Sequence, residues 1–187
     1  MTFFKSCLEF ILQLINFRSP SPKLPEFLFL IGTFYFPQIN VELIIRDSHD
    51  STIYTWRDDE FGNIGWHLPG GIVRPNESMF KRITNVIDTE LPFFTHILNT
   101  KYKTIRILGL SEIFREKLSY RSHFVSLIFL IHYPDFNFSD FSEFSSHSTV
   151  SFSKSPPSNL INNHLRYKDD LSTHTSNLMN KHFQIYT

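Results

Sequence analysis

The sequence predicts an α/β (α+β) protein in which a mixed β-sheet is sandwiched by helices. Two apolar runs, at 40–47 and 52–58, predict a pair of strands, and the uniformly apolar run at 122–133 predicts a central strand that is covered on both faces. Between 76 and 91, apolar residues recur at helical spacing, which predicts a helix lying on the core. The 187 residues suffice for one domain of ordinary size.

Composition excludes several classes of function. The chain has 18 basic and 18 acidic side chains, so its formal charge is zero and we expect neither a nucleic-acid partner nor attraction to an anionic membrane. Its single cysteine, Cys7, excludes an internal disulfide and a cysteine zinc cluster, and it fits a reducing compartment. No apolar run approaches the roughly 20 residues of a membrane span, so a cytoplasmic protein is expected.

The N-terminal segment, 1–24, is predicted to be a helix followed by a proline-rich linker at 19–25. Apolar residues of the first 17 positions recur at the spacing of an amphipathic helix, and these are Phe4, Leu8, Ile11, Leu12 and Ile15. A targeting segment is the alternative, because Lys5 precedes the apolar run. An amphipathic helix here could also serve a second copy of the chain in a homodimer.

Turn residues divide the following segment into short elements. A second helix is expected to start near Pro25, and the small polar residues at 48–51 favour a tight turn, hence a hairpin. A short strand at 65–71 ends in Pro69-Gly70-Gly71, a backbone corner that favours glycine. The helix that follows is predicted to bury one stripe and to stop at Pro92, and the stripe consists of Phe80, Ile83, Ile87 and Leu91.

The second half of the chain is predicted to contain fewer regular elements. A strand is expected at 103–114, and 135–158 is expected to be a loop with one short strand around 149–153. Ser158 is a suitable N-cap for a final helix ending near Leu171, beyond which 172–187 is taken as a tail.

The residues WRDDEFGNIGWHLPGGIVRPNES at 56–78, with RITNVIDTEL at 82–91, resemble the Nudix hydrolases, in particular the divergent group near GDP-mannose mannosyl hydrolase. The resemblance runs from about Leu24 to Leu171 and implies a Nudix-like α/β/α sandwich for a hydrolase domain at 25–171. The Nudix box, G-x5-E-x7-R-E-U-x-E-E-x-G-U with U a bulky apolar residue, is matched at Gly71, Glu77, Ile87, Glu90 and Phe93. It differs from the family at Asn85, Val86, Thr89 and Pro92.

The resemblance implies one divalent cation, Mg²⁺ or Mn²⁺, held on the diphosphate of the substrate by Glu90 and the Gly70 carbonyl. Hard cations of this kind prefer oxygen ligands and usually keep several waters. Gly71 and Glu77 are implied to be structural residues of the box, with Glu77 fastening the loop before the helix.

Four further residues are implied to act on substrate. Arg57, by its spacing from Gly70, matches a catalytic arginine that contacts the diphosphate, and a surface residue in a charged hairpin is the alternative. Glu42 matches an acid that orients substrate, with a solvent-facing strand residue as the alternative. Arg74 could face phosphate. His147 matches the histidine that activates water, although a solvated loop histidine is the alternative.

The remaining histidines are interpreted as structural; these are His67, His123 and His164. The function implied is hydrolysis of a nucleotide sugar or another nucleoside diphosphate derivative. A Nudix module that binds a nucleotide or protein without catalysis is the alternative, because four box positions depart from the family, and a decaying copy under weak selection is a third.

Overall fold

The computed structural model describes residues 31–32, 35–58, 64–114, 123–140 and 149–186. The predicted N-terminal helix, the proline-rich linker and the start of the helix expected near Pro25 lie outside these ranges.

Within these ranges, eight strands form one sheet. They are β1 (Gln38–Arg46), β2 (Thr52–Asp58), β3 (Ile64–His67), β4 (Gly70–Ile72), β5 (Thr104–Phe114), β6 (His123–His132), β7 (Val150–Ser153) and β8 (Gln184–Tyr186). The helices are α1 (Met79–Glu90), α2 (Thr95–Thr100), α3 (Lys168–Ser172) and α4 (Thr175–Asn180), with 3-10 helices at Phe138–Asp140 and Asn162–Tyr167.

The sheet is mixed, as the sequence predicts. Its main order is β3-β2-β1-β6-β5-β8, while β4 pairs with β1 and β7 pairs with β2. The β1–β6 and β5–β8 pairs are parallel and the other pairs are antiparallel. The expected hairpin is confirmed by the pairing of Arg46 with Thr52.

Helices cover both faces of this sheet, which confirms the sandwich. The first core cluster contains Leu43 of β1 and Phe129 of β6, together with α1 and α2 residues. The second cluster contains Ile44, which follows Leu43 in β1, and Ile128, which precedes Phe129 in β6. Residues of the C-terminal helices complete it. Because successive side chains of a strand point to opposite faces, β6 contributes to both clusters, as its uniformly apolar sequence predicts.

Helix α1 begins later than predicted, and three of the four residues of the predicted stripe are buried. Ser78 is its N-cap, and the Ser78 side chain accepts a hydrogen bond from the Lys81 N–H. Phe80 was predicted to be buried but is 66% exposed, because Met79 occupies the first-turn contact with the core. The buried face instead includes Val86 with the predicted Ile83, Ile87 and Leu91.

The predicted final helix also begins later, so the N-cap predicted at Ser158 is wrong. The Trp66 N–H donates to the Asn159 carbonyl at 3.0 Å, and the Ile161 N–H donates to the Trp66 carbonyl at 2.9 Å. These bonds flank an isolated bridge between Leu160 and Trp66 of β3, and helical structure starts only at Asn162. Beyond Leu171, α4 follows and β8 pairs with β5, so the sheet extends past the predicted boundary.

A buried arginine joins the sheet to the C-terminal helices. Arg46 is 1% exposed, and its Nη2 atom donates to the carbonyls of Asp170 at 3.0 Å and Leu171 at 2.8 Å. Its Nη1 atom also donates to the Thr173 carbonyl. The guanidinium therefore satisfies carbonyls at the end of α3, and burial lowers its pKa.

Asp50 similarly caps α4 from the β1–β2 turn. Its carboxylate accepts hydrogen bonds from the Thr175 N–H at 2.8 Å and from His174 Nδ1 at 2.7 Å. Burial raises the pKa of Asp50, but these hydrogen bonds outweigh it and lower the pKa from 3.8 to about 2.

Because the folded pKa of Asp50 lies below the unfolded value, the resulting stabilisation is complete above about pH 4 and is lost as the pH falls toward 2. The side chain is 27% exposed, which reduces the effect by solvent screening. Asp50→Asn is expected to lower the free energy of unfolding at pH 7 by about 1 to 2 kcal/mol. Urea unfolding at pH 7 and pH 2 checks this, and a difference that is the same at both pH values contradicts it.

Within the described ranges, no helix is long and apolar enough to cross a membrane.

Candidate active site

The glycine corner is built into the edge of β1. Strand β4 pairs with β1 so that Gly70 lies opposite Glu42 and Gly71 lies opposite Val41. A Cβ atom on Gly70 would lie 2.6 Å from Glu42 Oε2 and 2.7 Å from the Val41 carbonyl oxygen. A side chain at position 70 is therefore excluded by β1 itself, which explains why the corner requires glycine.

The peptide groups of Gly70 point away from β1. The neighbouring hydrogen bond, from the Leu43 N–H to the Pro69 carbonyl at 2.9 Å, makes Glu42 and Gly70 a non-hydrogen-bonded pair of the ladder. The Gly70 N–H instead donates to Glu90 Oε1 at 3.2 Å. Since the N–H and carbonyl of a strand residue point to the same side, the Gly70 carbonyl shares this outward direction.

Glu90, at the end of α1, is held by two more groups. Its Oε2 atom accepts a hydrogen bond from the Thr55 hydroxyl at 3.1 Å and lies 3.2 Å from His67 Nε2. The His67 ring is buried, and its Nδ1 atom is 2.7 Å from the Thr55 carbonyl oxygen. The Glu90 side chain keeps 21% of its surface exposed, so the carboxylate is positioned by the protein and still accessible.

An open cleft of about 350 Å³ lies over this carboxylate. Its lining includes Glu90 and the predicted phosphate-binding residue Arg57, and the other lining residues are Thr55, Trp56, Asp58, His67 and Thr149. Thr55 and Arg57 are two residues apart on β2, so their side chains lie on the same face of the sheet. Thr55 also lies opposite His67 of β3. The structure thus brings a guanidinium, a carboxylate and an imidazole to one opening.

Glu42 lies behind the corner, and the alternative interpretation of a solvent-facing strand residue is wrong. The residue is 6% exposed, and its carboxylate accepts a hydrogen bond from the Asn40 amide at 2.7 Å. Its Oε2 atom lies 3.2 Å from His164 Nε2. His164 Nδ1 accepts a hydrogen bond from the Leu68 N–H at 2.9 Å, so Nε2 carries the proton and donates to Glu42. Alternation along β1 could not reveal this burial, because the covering residue comes from the far end of the chain.

Glu77 is tied to the loop and to α1. It is 9% exposed, and it accepts hydrogen bonds from the Arg74 N–H at 2.9 Å and from the Asn85 amide at 2.5 Å. The Arg82 guanidinium lies 3.7 Å from the same carboxylate. Asn85, which departs from the arginine of the Nudix box, therefore still contacts the box glutamate.

Arg82 is a site residue that the sequence alone did not single out. Burial lowers the pKa of its guanidinium, and the carboxylates of Glu77 and Glu90 partly offset this. A Cβ atom on Gly71 would lie 2.5 Å from Arg82 Nη2, so the second glycine makes room for this side chain. The available signal was the position of Arg82 one helical turn before Asn85, where it shares a helix face with that residue.

The other predicted site residues occupy different positions. The Arg74 side chain is half-exposed, and its charge contributes to lowering the pKa of Arg82. His147 lies outside the described residues. Thr149 lines the cleft, and its carbonyl accepts a hydrogen bond from the Trp56 N–H at 2.8 Å.

His67 and Thr55 were not predicted to reach the site. The sequence signal that could have found them is the pairing of β2 with β3. His67 stands two positions before Pro69, so it lies beside the glycine corner, and Thr55 is its partner on the neighbouring strand. Within the part of the chain that the structure describes, no group of three or more His, Cys, Asp or Glu side chains converges to hold a metal ion.

These observations define an α+β protein with a mixed sheet and a cleft at the end of its longest described helix. No protein-family model matches the chain, and no curated protein matches it in sequence.

Solved structures share part of the arrangement. The MutT protein from Methanosarcina mazei Go1 has 17% identity and a TM-score of 0.37, over 51% of this chain and 64% of that chain. The bifunctional NMN adenylyltransferase/ADP ribose pyrophosphatase from Francisella tularensis, complexed with AMP and a Mn ion, has 18% identity and a TM-score of 0.42, over 75% and 42%. A Nudix hydrolase from Nitrosomonas europaea has 11% identity and a TM-score of 0.40, over 78% and 87%. The chain thus spans less than two thirds of the first two proteins, and likeness at this level assigns no activity.

Proposed function

We propose that the chain is a Nudix-type hydrolase that acts on a nucleoside diphosphate-linked substrate such as a nucleotide sugar. One observation carries the proposal: Arg57 and Glu90, which the sequence resemblance selects as the phosphate clamp and the metal ligand, line the same cleft. The two residues belong to different elements far apart in the chain, and a shared cleft is what a diphosphate site requires.

The donor set of this cleft suits a hard divalent cation. Glu90 supplies an accessible carboxylate, and the outward direction of the Gly70 peptide groups makes its carbonyl available on the same side. Carboxylate and carbonyl oxygens are the ligands that Mg²⁺ and Mn²⁺ accept. Bound there, the cation would stabilise negative charge on the departing nucleoside diphosphate.

The side chains of the chain have separable roles in this proposal. The planar guanidinium of Arg57 binds phosphate oxygens, and the Gly70 N–H fixes the Glu90 carboxylate in place. Arg82 and Glu77 hold the loop after the corner. The substrate contacts of Glu42 and Arg74, and the role of His147 as the base that takes a proton from water, stay predictions.

A panel of nucleotide sugars and other nucleoside diphosphate derivatives, assayed with Mg²⁺ or Mn²⁺, tests the proposal. Glu90→Gln is expected to lower kcat by about 100-fold, because it removes the charge that holds the cation. Arg57→Ala is expected to raise KM about 10-fold, because one charge-assisted contact with phosphate is lost.

Glu112→Gln provides the matched control. This glutamate is 2.7 Å from His123 at the end of β6, and its side chain is largely exposed. The control is expected to keep wild-type rates. Equal product formation by the wild type and Glu90→Gln would reject the proposed role of Glu90.

A second candidate function is binding without catalysis. At two positions where the Nudix box carries glutamate, Val86 is buried in the core and the Thr89 hydroxyl donates to the Asn85 carbonyl at 2.7 Å. These positions serve helix packing here. Ligand-dependent thermal stabilisation across the same panel, without turnover, would favour this candidate.

A further inference from the structure

His67 has an acceptor at each of its two ring nitrogens. Nδ1 lies 2.7 Å from the Thr55 carbonyl oxygen, and Nε2 lies 3.2 Å from Glu90 Oε2. A neutral imidazole carries one N–H group, and donation from Nδ1 to the carbonyl leaves a lone pair on Nε2. That lone pair faces the Glu90 carboxylate and also lies 3.2 Å from the Thr55 hydroxyl, whose single proton is donated to Glu90. A positive centre, a proton or a metal ion, therefore belongs between Nε2 and the carboxylate.

The other buried histidine of the corner differs in this respect. His164 accepts a hydrogen bond at Nδ1 from the Leu68 N–H and donates from Nε2 to Glu42. A neutral ring therefore satisfies both partners of His164, and no cation is needed. The contrast separates a self-sufficient pair, Glu42–His164, from the pair at the cleft, His67–Glu90.

The surroundings of His67 are those of a metal-ligating histidine. Such residues commonly donate the distal ring N–H to a backbone carbonyl, which fixes the tautomer and aims the other nitrogen at the metal. Neighbouring ligand atoms of an ion bound at ~2.1 Å lie about 3.0 to 3.4 Å apart in octahedral or tetrahedral geometry. The observed separation of 3.2 Å between His67 Nε2 and Glu90 Oε2 falls in that range.

The hydrogen bonds of Glu90 add to this. The Thr55 hydroxyl and the Gly70 N–H each donate to the carboxylate, one to each oxygen, which orients it toward the cleft. Thr55 thus supports both partners, through its carbonyl to His67 and through its hydroxyl to Glu90. Hydrogen-bonded carboxylates and imidazoles are the supporting arrangement of metal ligands.

We propose that His67 Nε2 joins Glu90 and the Gly70 carbonyl in binding one divalent transition ion. The inference rests on the proposed function in taking Glu90 and Gly70 as ligands. It extends the proposed function by assigning a transition-metal ion to the site in place of Mg²⁺. An imidazole nitrogen favours Co²⁺ and Zn²⁺ over Mg²⁺, whereas a site of oxygen atoms alone suits Mg²⁺ and Mn²⁺.

Metal binding to the full chain without substrate tests this inference. Titration calorimetry and the visible absorption of bound Co²⁺ are measured for the wild type, His67→Leu and Glu90→Gln. The wild type is expected to bind one Co²⁺ at least 10-fold more tightly than Mg²⁺. His67→Leu is expected to weaken Co²⁺ binding by about 10- to 100-fold with little change for Mg²⁺. Glu90→Gln is expected to weaken both.

His123→Gln is the matched control, because His123 also pairs with a glutamate, at 2.7 Å from Glu112, but lies at the end of β6. It is expected to bind Co²⁺ as the wild type does. Since His67 is buried and its variant could lose the fold, ¹⁵N NMR of the wild type provides a second measurement. Zn²⁺ is expected to shift the Nε2 resonance of His67 and to leave Nδ1 protonated.

Two results would overturn the inference: equal Co²⁺ affinity of folded His67→Leu and wild type, or an unchanged Nε2 resonance with Zn²⁺ bound. Failure of the proposed function is distinguishable. If folded His67→Leu binds Co²⁺ as tightly as the wild type does while a nucleotide substrate is still turned over, only the inference fails. If Co²⁺ binds through His67 but no nucleotide derivative binds or reacts, the inference holds and the proposed function fails.

Discussion

Gly70→Ala is expected to disable the candidate site while leaving a folded protein. The added Cβ would lie 2.7 Å from the Val41 carbonyl oxygen, a backbone atom of β1 that cannot move without distorting the sheet. It would also lie 2.6 Å from the buried Glu42 carboxylate. The corner must therefore shift instead. Such a shift separates the Gly70 N–H from Glu90 Oε1 and moves the Gly70 carbonyl with it.

The expected magnitude follows from overpacking and from misplacement. A methyl group forced into a packed site destabilises by about 1 to 3 kcal/mol. Displacement of a positioned group by about 1 Å can lower a rate by about 100-fold. Thermal unfolding and kcat on the active nucleotide substrate measure the two effects, and ligand-dependent stabilisation replaces kcat if the protein only binds.

Gly32→Ala is the matched control, since no atom of the described residues, apart from its own helix backbone and chain neighbours, lies within 4 Å of the Cβ position at that glycine. It is expected to change neither measurement by more than a small amount. Wild-type turnover in Gly70→Ala would show that the corner does not need its observed conformation for activity.

Arg46→Met is expected to cause the largest loss of stability. The substitution keeps much of the side-chain volume but removes every hydrogen bond that the guanidinium donates. The carbonyls of Leu171 and Thr173 would lose the donor that Arg46 supplies, and the Asp170 carbonyl would keep only the Thr173 N–H at 3.1 Å. Each unsatisfied buried group costs about 1 to 3 kcal/mol, so a total loss of about 3 to 5 kcal/mol is expected.

Urea unfolding of the purified protein measures this effect, and Arg166→Met serves as the control. Arg166 also bonds to a carbonyl, that of Glu112 at 2.9 Å, but at the exposed surface, and its other bond goes to the Ser111 hydroxyl at 2.7 Å. Because only one buried group loses its donor, the replacement is expected to cost about 1 kcal/mol, less than Arg46→Met. Equal losses in the two variants would contradict the argument that burial of the carbonyls sets the cost.

Local sequence was sufficient for most of the elements. Strands β1, β2, β5 and β6 follow their apolar runs, because strand periodicity and turn residues act over a few neighbouring positions. The glycine corner could be predicted for the same reason. One error arose where a distant segment supplied the partner, since β3 keeps 159–161 out of the last helix. The other error is local, because Met79 takes the core contact that was predicted for its neighbour Phe80.

The candidate site divides in the same way. Arg57, Gly70 and Glu90 could be selected from spacing along the chain, since a motif records which residue types stand at which intervals. The sequence alone could not select Arg82. In the structure this residue contacts the loop before α1, as Asn85 also does. The sequence could not predict that Glu42 is buried against His164 either.

The sequence by itself determined strands β1, β2, β5 and β6, helix α1, the glycine corner and the carboxylate at the end of α1. Only the tertiary structure decided that His67 faces that carboxylate, that Glu42 is enclosed, and that Arg46 joins the sheet to the C-terminal helices. Spacing along a chain fixes local conformation. Burial and the pairing of charges depend on which distant segments meet across the sheet.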